Sequence, residues 1–306
     1  MEYIHDRKEI ALSGRNVVSI GKFDGFHLGH QKLIREMRAL AAGEDCRTVL
    51  LTFDTSPQAF MNGGPADVLT SREEKPLAAE KLGVDVLVDY PFDDQVRHME
   101  AETFLREVIL KGLGAAEIIV GTDCRFGYMG RGTTALLQEL TPRFGCGLTV
   151  VEKVLYERKN ISSTRIRESI TAGRIREANA MLGYPYSITS SVLHGEGFGR
   201  TIGFPTINQI CEGRKVMPAF GVYRTRVWID GADFDAMTYV GVKPTFGHTR
   251  PGIETHILNY EGDLYGRTLR VEFLDYVRPE RKFDGESDLM RQLWEDRNQI
   301  VRYING

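Results

Sequence analysis

The 306-residue chain has no long hydrophobic run, and no stretch approaches the length of a membrane span. A membrane partner is therefore not expected. It has no basic excess either: 39 Lys and Arg stand against 42 Asp and Glu, a net charge of −3. With a pI near 6.2, a primary role on nucleic acid is disfavoured. Cysteine is scarce, and Cys46, Cys124, Cys146 and Cys211 lie far apart in no metal or redox pattern. They read as reduced thiols of a cytoplasmic protein. Met1 to Lys8 is charged and lacks the apolar core of a signal peptide. No internal repeat and no low-complexity tract occurs. The glycine-rich loops match neither a P-loop nor a GxGxxG fingerprint.

What is present is an ordinary globular composition, 42% hydrophobic and 26% charged, in a chain long enough for two cores. The first half alternates strand and helix patterns. Val17–Ile20, Thr48–Phe53, Val84–Tyr90, Glu117–Gly121 and Gly147–Val154 read as strands. Gln31–Ala41, Arg72–Leu82 after a Thr70-Ser71 cap signal, and Ala101–Leu110 read as helices. Alternation of this kind predicts a doubly wound parallel sheet, with ligands at the carboxyl ends of its strands. The helix pair Ile161–Ala172 and Arg174–Leu182 closes at Gly183, and a domain boundary is placed between residues 184 and 185.

From Tyr186 the texture changes to short strands. Ser187–Leu193, Gly221–Ile229, Ala236–Val242, Glu254–Tyr260 and Thr268–Tyr276 predict a small antiparallel barrel. Asp230-Gly231 and Glu261-Gly262-Asp263 read as its hairpin turns. Asp288–Ile304 reads as a terminal amphipathic helix, with Trp294 as packing rather than a cofactor stack.

The chemistry is expected first at Gly21–His30, a glycine-rich turn between a strand and a helix. Free amides and the positive dipole end of a starting helix suit a phosphate. Gly21, Gly25 and Gly29 allow close backbone approach, and His27 and His30, three apart, can point the same way. The arrangement suits a nucleoside triphosphate attacked at phosphorus, where catalysis is positioning and charge stabilisation. A zinc site lacks further ligands at a usual spacing. Ser162-Ser163-Thr164-Arg165-Ile166-Arg167 offers hydroxyls at a helix start and guanidinium groups, either a helix cap or a second jaw for the same nucleotide.

In the second half, Gly195–Asn208 holds four glycines in nine residues before Pro205-Thr206-Ile207-Asn208. Thr206 and Asn208 share one side of an extended segment and present hard oxygens to Mg²⁺ carried by a nucleotide. An ordinary glycine-rich turn would use the same residues, and both readings stand. Glu254 begins a strand where it could take a hydroxyl proton, or be a solvated strand residue, with His256 on the same side.

Taken together, these residues resemble the bifunctional prokaryotic riboflavin kinase/FAD synthetase family. The segments that carry the resemblance run in order over nearly the whole chain: Gly21–His30, Thr52-Phe53, Gly121–Gly127, Ile161–Arg167, Gly199–Asn208, Gly221-Val222-Tyr223, Gly241–Gly247, Glu254–Leu258 and Leu264-Tyr265-Gly266, then Leu269–Phe273, Arg278 and Lys282-Phe283. The resemblance implies an N-terminal sheet of nucleotidyltransferase type, which joins FMN to AMP from ATP and gives FAD and pyrophosphate. It implies a C-terminal barrel that phosphorylates riboflavin with ATP and Mg²⁺. It makes His27 and His30 the catalytic histidines of the first site, with Gly21, Phe23, Asp24, Gly25, Gly29, Ser163, Thr164 and Arg167 around the nucleotide. Asp123 and Phe126 would lie at the flavin. In the barrel it makes Glu254 the base, Thr206 and Asn208 the metal ligands, and Gly199 and Gly203 part of the ATP loop.

Four positions depart from the family pattern. Ser56 stands where many members have histidine, Cys124 where an aromatic is usual, and Thr133 where aspartate is common. Ile207 replaces a small residue. A kinase with an impaired N-terminal half and a flavin sensor without turnover are the other readings; product identity and ATP turnover separate them. The oligomeric state is not legible.

Overall fold

The computed structural model describes residues 1–54, 60, 67–195, 197–211, 213–242 and 251–305. Ser56 and residues 243–247 fall outside the described residues. By internal contacts the chain forms two compact units, Met1–Ser163 and Thr164–Gly306.

In the first unit β1 (Glu2–His5), β2 (Asn16–Ile20), β3 (Arg47–Phe53), β4 (Val86–Tyr90), β5 (Ala115–Gly121) and β6 (Gly147–Val151) form one sheet, in the order β1-β4-β3-β2-β5-β6. Every neighbouring pair is parallel, as the alternating pattern predicts. Alternate residues of each strand face opposite sides. Val49 and Leu51 pack with Phe104, Leu105 and Ile109 on one face. Leu50 packs on the other with Leu33, Ile34 and Met37 of α1 (Leu28–Glu44). Both faces being covered, the strands read as continuous apolar runs. The order reverses between β2 and β5, and ligands of open parallel sheets gather at the carboxyl ends beside such a reversal. Gly21–His27 leaves β2 there, and Gly121–Gly132 leaves β5.

The Ser71 start signal is a capping box: Glu74 N–H donates to Ser71 Oγ at 3.3 Å and Ser71 N–H to Glu74 Oε2 at 3.0 Å. The helix expected over 101–110 begins as an α-turn, Ala101–Thr103, and widens to π geometry over Phe104–Gly112. Several elements of this unit carry no strong pattern and lie outside the expected set, among them β1, the helix Thr134–Leu140, and the hairpin of β7 (Leu155–Tyr156) with β8 (Lys159–Asn160). In β1 only Ile4 is buried, which leaves no periodicity to read.

The second unit holds β9 (Ser187–Leu193), β10 (Ile207–Ile210), β11 (Gly221–Ile229), β12 (Ala232–Val242), β13 (Pro251–Ile257) and β14 (Thr268–Pro279). They close into an antiparallel barrel in the order β10-β13-β12-β11-β14-β9. Its interior includes a chain of buried hydroxyls, Thr225 to Thr238 at 2.7 Å and Thr238 to Thr255 at 2.8 Å. Asp230-Gly231 is the expected two-residue turn, between the paired Ile229 and Ala232 with φ of 50° and 84°. The hairpin expected at Glu261-Gly262-Asp263 does not form. β13 pairs with β10 and β12, and β14 with β11 and β9, so that stretch is a longer connection between strands that are not neighbours.

The helices Ser163–Thr171 and Ile175–Leu182 belong to this unit's packing, apart from Ser163 itself. Asn179 ties the second of them to the barrel, donating to Phe273 O at 2.8 Å and accepting from Tyr186 N–H at 2.7 Å. Gly183, at φ 80°, ends it. The terminal helix Glu286–Asn305 buries Ile300 against Phe204, Val222 and Met237. Trp294 meets the Phe204 ring edge-on at 5.0 Å and remains half exposed.

Candidate active sites

The turn after β2 is held by its own polar groups. Asp24 Oδ1 accepts from the amides of Leu69 at 2.8 Å and Thr70 at 3.0 Å, and Gly25 N–H donates to Thr70 Oγ1 at 2.9 Å. Ser163 Oγ donates to Asp24 O at 2.8 Å, so the first residue of the predicted second jaw braces the turn. Phe23 and Phe26 are buried at positive φ, 46° and 36°. Non-glycine residues adopt such angles at a cost, which concentrates at functional turns. Gly21 carries no side chain that would press on the Phe23 ring, 3.2 Å from where a Cβ would sit.

His27 is the N-cap residue of α1 and makes no side-chain cap bond. Its ring stacks on His30 with centroids 3.7 Å apart and planes 16° from parallel. The Nδ1 atoms of both are buried with no hydrogen-bond partner among the described residues. Burial holds the pKa of His27 down at about 4, opposed weakly by the Asp123 carboxylate. Burial and the neighbouring His27 hold His30 well below the usual imidazole range. Both rings are therefore neutral near pH 7, stacked at the start of a helix with no acidic residue in its first turn.

Gly29 is what permits this stack. A Cβ there would lie 3.1 Å from His27 Nδ1 and Cε1, and the His27 ring has His30 behind it. Gly29→Ala is expected to raise helix propensity by about 1 kcal/mol while displacing His27. Turnover at this site should fall about tenfold or more, with the melting temperature unchanged or higher, as a thermal melt beside a rate measurement would show.

Asp123 lies exposed on the loop after β5, paired with Lys153 Nζ at 2.8 Å. Phe126 instead sits in the core, 4% exposed against Phe104, and anchors the loop through its mutual backbone bonds with Gly132. Two departures are absorbed structurally. Cys124 packs against the same core, its thiol pushed up to about 12 by burial. Thr133 caps the helix Thr134–Leu140 by accepting from Leu136 N–H at 3.2 Å, the role a short acidic side chain would serve. Thr164 and Arg167 share the first turn of the helix Ser163–Thr171, where the Arg167 guanidinium donates to Thr164 Oγ1 at 3.4 Å.

In the barrel unit the predicted residues converge. Asn208 on β10 and Glu254 on β13 are direct cross-strand partners, a pairing that sets their Cβ atoms about 5 Å apart. With Thr206, Gly199, His256 and Arg278 they line a cavity of about 360 Å³. Ile207 pairs with Thr255 and does not line the cavity, as strand alternation requires. Gly203 does not line it either; at φ 79° it forms the turn before Phe204. Gly195 and Gly199 are places where a side chain cannot go. A Cβ would fall 2.3 Å from Asn208 Nδ2 in the first case and 2.3 Å from Phe204 O in the second.

Residue-type reasoning did not place Tyr239, Met237, Arg281, Leu289 and Leu293 at this cavity. Tyr239 pairs with Glu254 across β12 and β13, so strand register is the signal that finds it. His256, its pKa lowered by burial, donates from Nδ1 to Pro205 O at 2.9 Å and so fixes the backbone just before Thr206. Arg278 is clamped by buried Asp296, with Nε at 2.9 Å from both carboxylate oxygens. Asp296→Ala should destabilise this unit by about 1.5–3 kcal/mol, read as a lower urea midpoint.

No group of three or more His, Cys, Asp or Glu side chains able to hold a metal occurs among the described residues. The oxygens of Thr206 and Asn208 instead fit a small hard cation that arrives with a nucleotide and keeps most of its ligands from phosphate and water.

Each half thus brings together groups suited to phosphate chemistry, on a parallel sheet in one and in a closed barrel in the other. Comparison with known proteins agrees. An FAD synthetase family profile matches residues 10–165 and a riboflavin kinase profile residues 182–304. The bifunctional riboflavin kinase/FMN adenylyltransferase of Bacillus subtilis is 33% identical over 298 residues, 95% of this chain and 93% of that one. The Haemophilus influenzae protein of the same description is 33% identical over 94% of each chain. The chain belongs to the bifunctional riboflavin kinase/FMN adenylyltransferase family and carries both of its enzymatic domains. A crystal structure from Streptococcus pneumoniae, described as a macrolide-efflux protein, superposes with a TM-score of 0.87 at 32% identity, covering 97% of this chain and 98% of that one. No helix among the described residues is long and apolar enough to cross a membrane.

Proposed function

We propose that residues 185–306 phosphorylate riboflavin to FMN and that residues 1–184 adenylylate FMN to FAD, each with its own ATP. The pairing of Glu254 with Asn208 in one cavity, in a chain whose other unit stacks two neutral histidines at a sheet reversal, carries this reading.

In the kinase reaction Glu254 takes the proton of the ribityl 5′-hydroxyl as that oxygen bonds to the γ-phosphorus and ADP leaves. Thr206 and Asn208 would hold Mg²⁺, which would neutralise charge on the phosphates when bound. Gly199, pressed onto the Phe204 carbonyl, keeps the loop low over them. In the second reaction an FMN phosphate oxygen attacks the α-phosphorus of ATP and pyrophosphate leaves. His27 and His30 donate to phosphate oxygens as charge builds there, with the amides at the start of α1. Gly21, Phe23, Asp24, Gly25 and Gly29 shape that turn, Ser163 braces it, and Asp123 meets the flavin.

The test is a time course of purified protein with riboflavin, ATP and Mg²⁺, with flavins separated and quantified. FMN that rises and then gives way to FAD is the expected result. FMN without FAD would confine activity to the barrel, and no product despite riboflavin binding would leave a sensor. Removing Mg²⁺ with excess chelator should stop both steps; FAD formation that continued would remove the metal from the first unit's chemistry.

A further inference from the structure

Thr52, at the carboxyl end of β3, has no role in the chemistry above, yet a largely covered lysine stands directly behind it. Lys75 lies in the first turn of the helix Glu74–Lys81, its side chain 15% exposed. Its Nζ donates to Thr52 Oγ1 at 3.3 Å. Thr52 is fully buried, and its hydroxyl donates to Lys22 O at 3.2 Å. An ammonium only donates, so the hydroxyl accepts from Lys75 and spends its single proton on the Lys22 carbonyl. Lys22 is the second residue of the Gly21–His30 turn.

The other side of Lys75 is held by Asp89, 1% exposed, with Oδ1 at 3.9 Å from Nζ. Tyr3 OH donates to Asp89 Oδ2 at 3.3 Å, and Arg72 Nε lies 3.7 Å from that oxygen. Burial lowers the pKa of Lys75 and raises that of Asp89. A buried pair of this kind is weak ground for stability, and its value elsewhere is to fix one arrangement of the groups around it.

We infer that Lys75 is a positioning residue for adenylyl transfer, acting through the Thr52 hydroxyl on the Lys22 carbonyl and hence on the turn that carries His27 and His30. The inference rests on the adenylyltransferase reading of the first unit. It gives the Thr52 position a function and explains why a strongly hydrated side chain is buried one strand away from the histidines.

The experiment uses the full chain and measures FAD formation from supplied FMN and ATP, with riboflavin phosphorylation and a thermal melt on each preparation. Thr52→Val keeps the shape and removes the hydroxyl, whereas Thr52→Ser keeps the hydroxyl. Thr52→Val should lower kcat about tenfold with the KM for ATP little changed, and Thr52→Ser should stay near wild type. Lys75→Met should cause a similar loss alone and less than about twofold more in the Thr52→Val background, since both break one relay. Because Lys75→Met strands Asp89, the balanced variant Lys75→Met with Asp89→Asn is measured beside it. Thr52→Val at the wild-type rate would overturn the relay. Losses that multiply, or a Lys75 effect confined to KM, would mean that Lys75 touches the ligand itself and would overturn it too. A wild-type protein that makes FMN and no FAD would fail the adenylyltransferase reading, and this inference with it. One that makes both flavins isolates the relay as the point under test.

Discussion

Glu254→Gln is expected to lower riboflavin phosphorylation by about 10²–10⁴-fold while conversion of supplied FMN to FAD continues nearly unchanged. The substitution keeps the shape of the side chain and its place opposite Asn208, but an amide cannot take the ribityl proton. The acceptor acts as the hydroxyl oxygen bonds to phosphorus, so kcat and kcat/KM should fall together. Asn208→Ala makes a useful contrast. It removes the ligand proposed to meet the Mg–ATP complex on binding, so the KM for ATP should rise as well. The two reactions of one chain serve as each other's control: a Glu254→Gln protein that still makes FAD has not simply unfolded. Loss of both activities in a protein with a normal melt would sink the assignment of separate sites. FMN formation at the wild-type rate would remove Glu254 as the base.

The parts of the fold legible in sequence were those whose burial imposes one period. β3, where the six residues after Arg47 are apolar or β-branched and Thr48–Thr52 are all buried, and the alternating β9 could be read almost to the residue. β1 could not, because an edge strand with one buried side chain has no period to read. Topology was harder than element type. Glu261-Gly262-Asp263 has the composition of a hairpin turn, yet its flanking strands are apart in the barrel, and nothing local records which strands are neighbours. The sites divide in the same way. Glycines, histidines and hydroxyls announced phosphate chemistry through residue type alone. Tyr239, Lys75 and Asp89 could not be found so, since each acquires its place only from sheet register or from burial. Phe126 belonged to a recognised motif, but the folded loop turns it into the core. The resemblance named flavin, which no residue pattern could do.

His30→Ala is expected to lower FAD formation by about 10²–10³-fold and to let FMN accumulate. Both imidazoles are neutral near pH 7, because burial penalises the charged form. The sign of the pH effect follows from the direction of that shift. Between the ordinary imidazole pKa near 6.5 and the His27 value of about 4, the unfolded chain binds more protons than the folded one. The stability contributed by the neutral pair is present above pH 6.5 and is lost as the pH falls toward 4. His27→Asn, which has no titrating ring, should flatten that decline. The triphosphate acts in the opposite direction. An anion against the stacked rings favours their charged form, so ATP binding near pH 6–7 should draw protons from solution. Calorimetric titration in two buffers of different ionisation enthalpy reads this directly, with His27→Asn/His30→Ala removing the first unit's share. An uptake that persists unchanged in that double variant would place the titrating groups elsewhere. A stack that meets ATP already neutral, and takes up charge only with the phosphates, avoids the cost of a buried imidazolium until the anion is there to offset it.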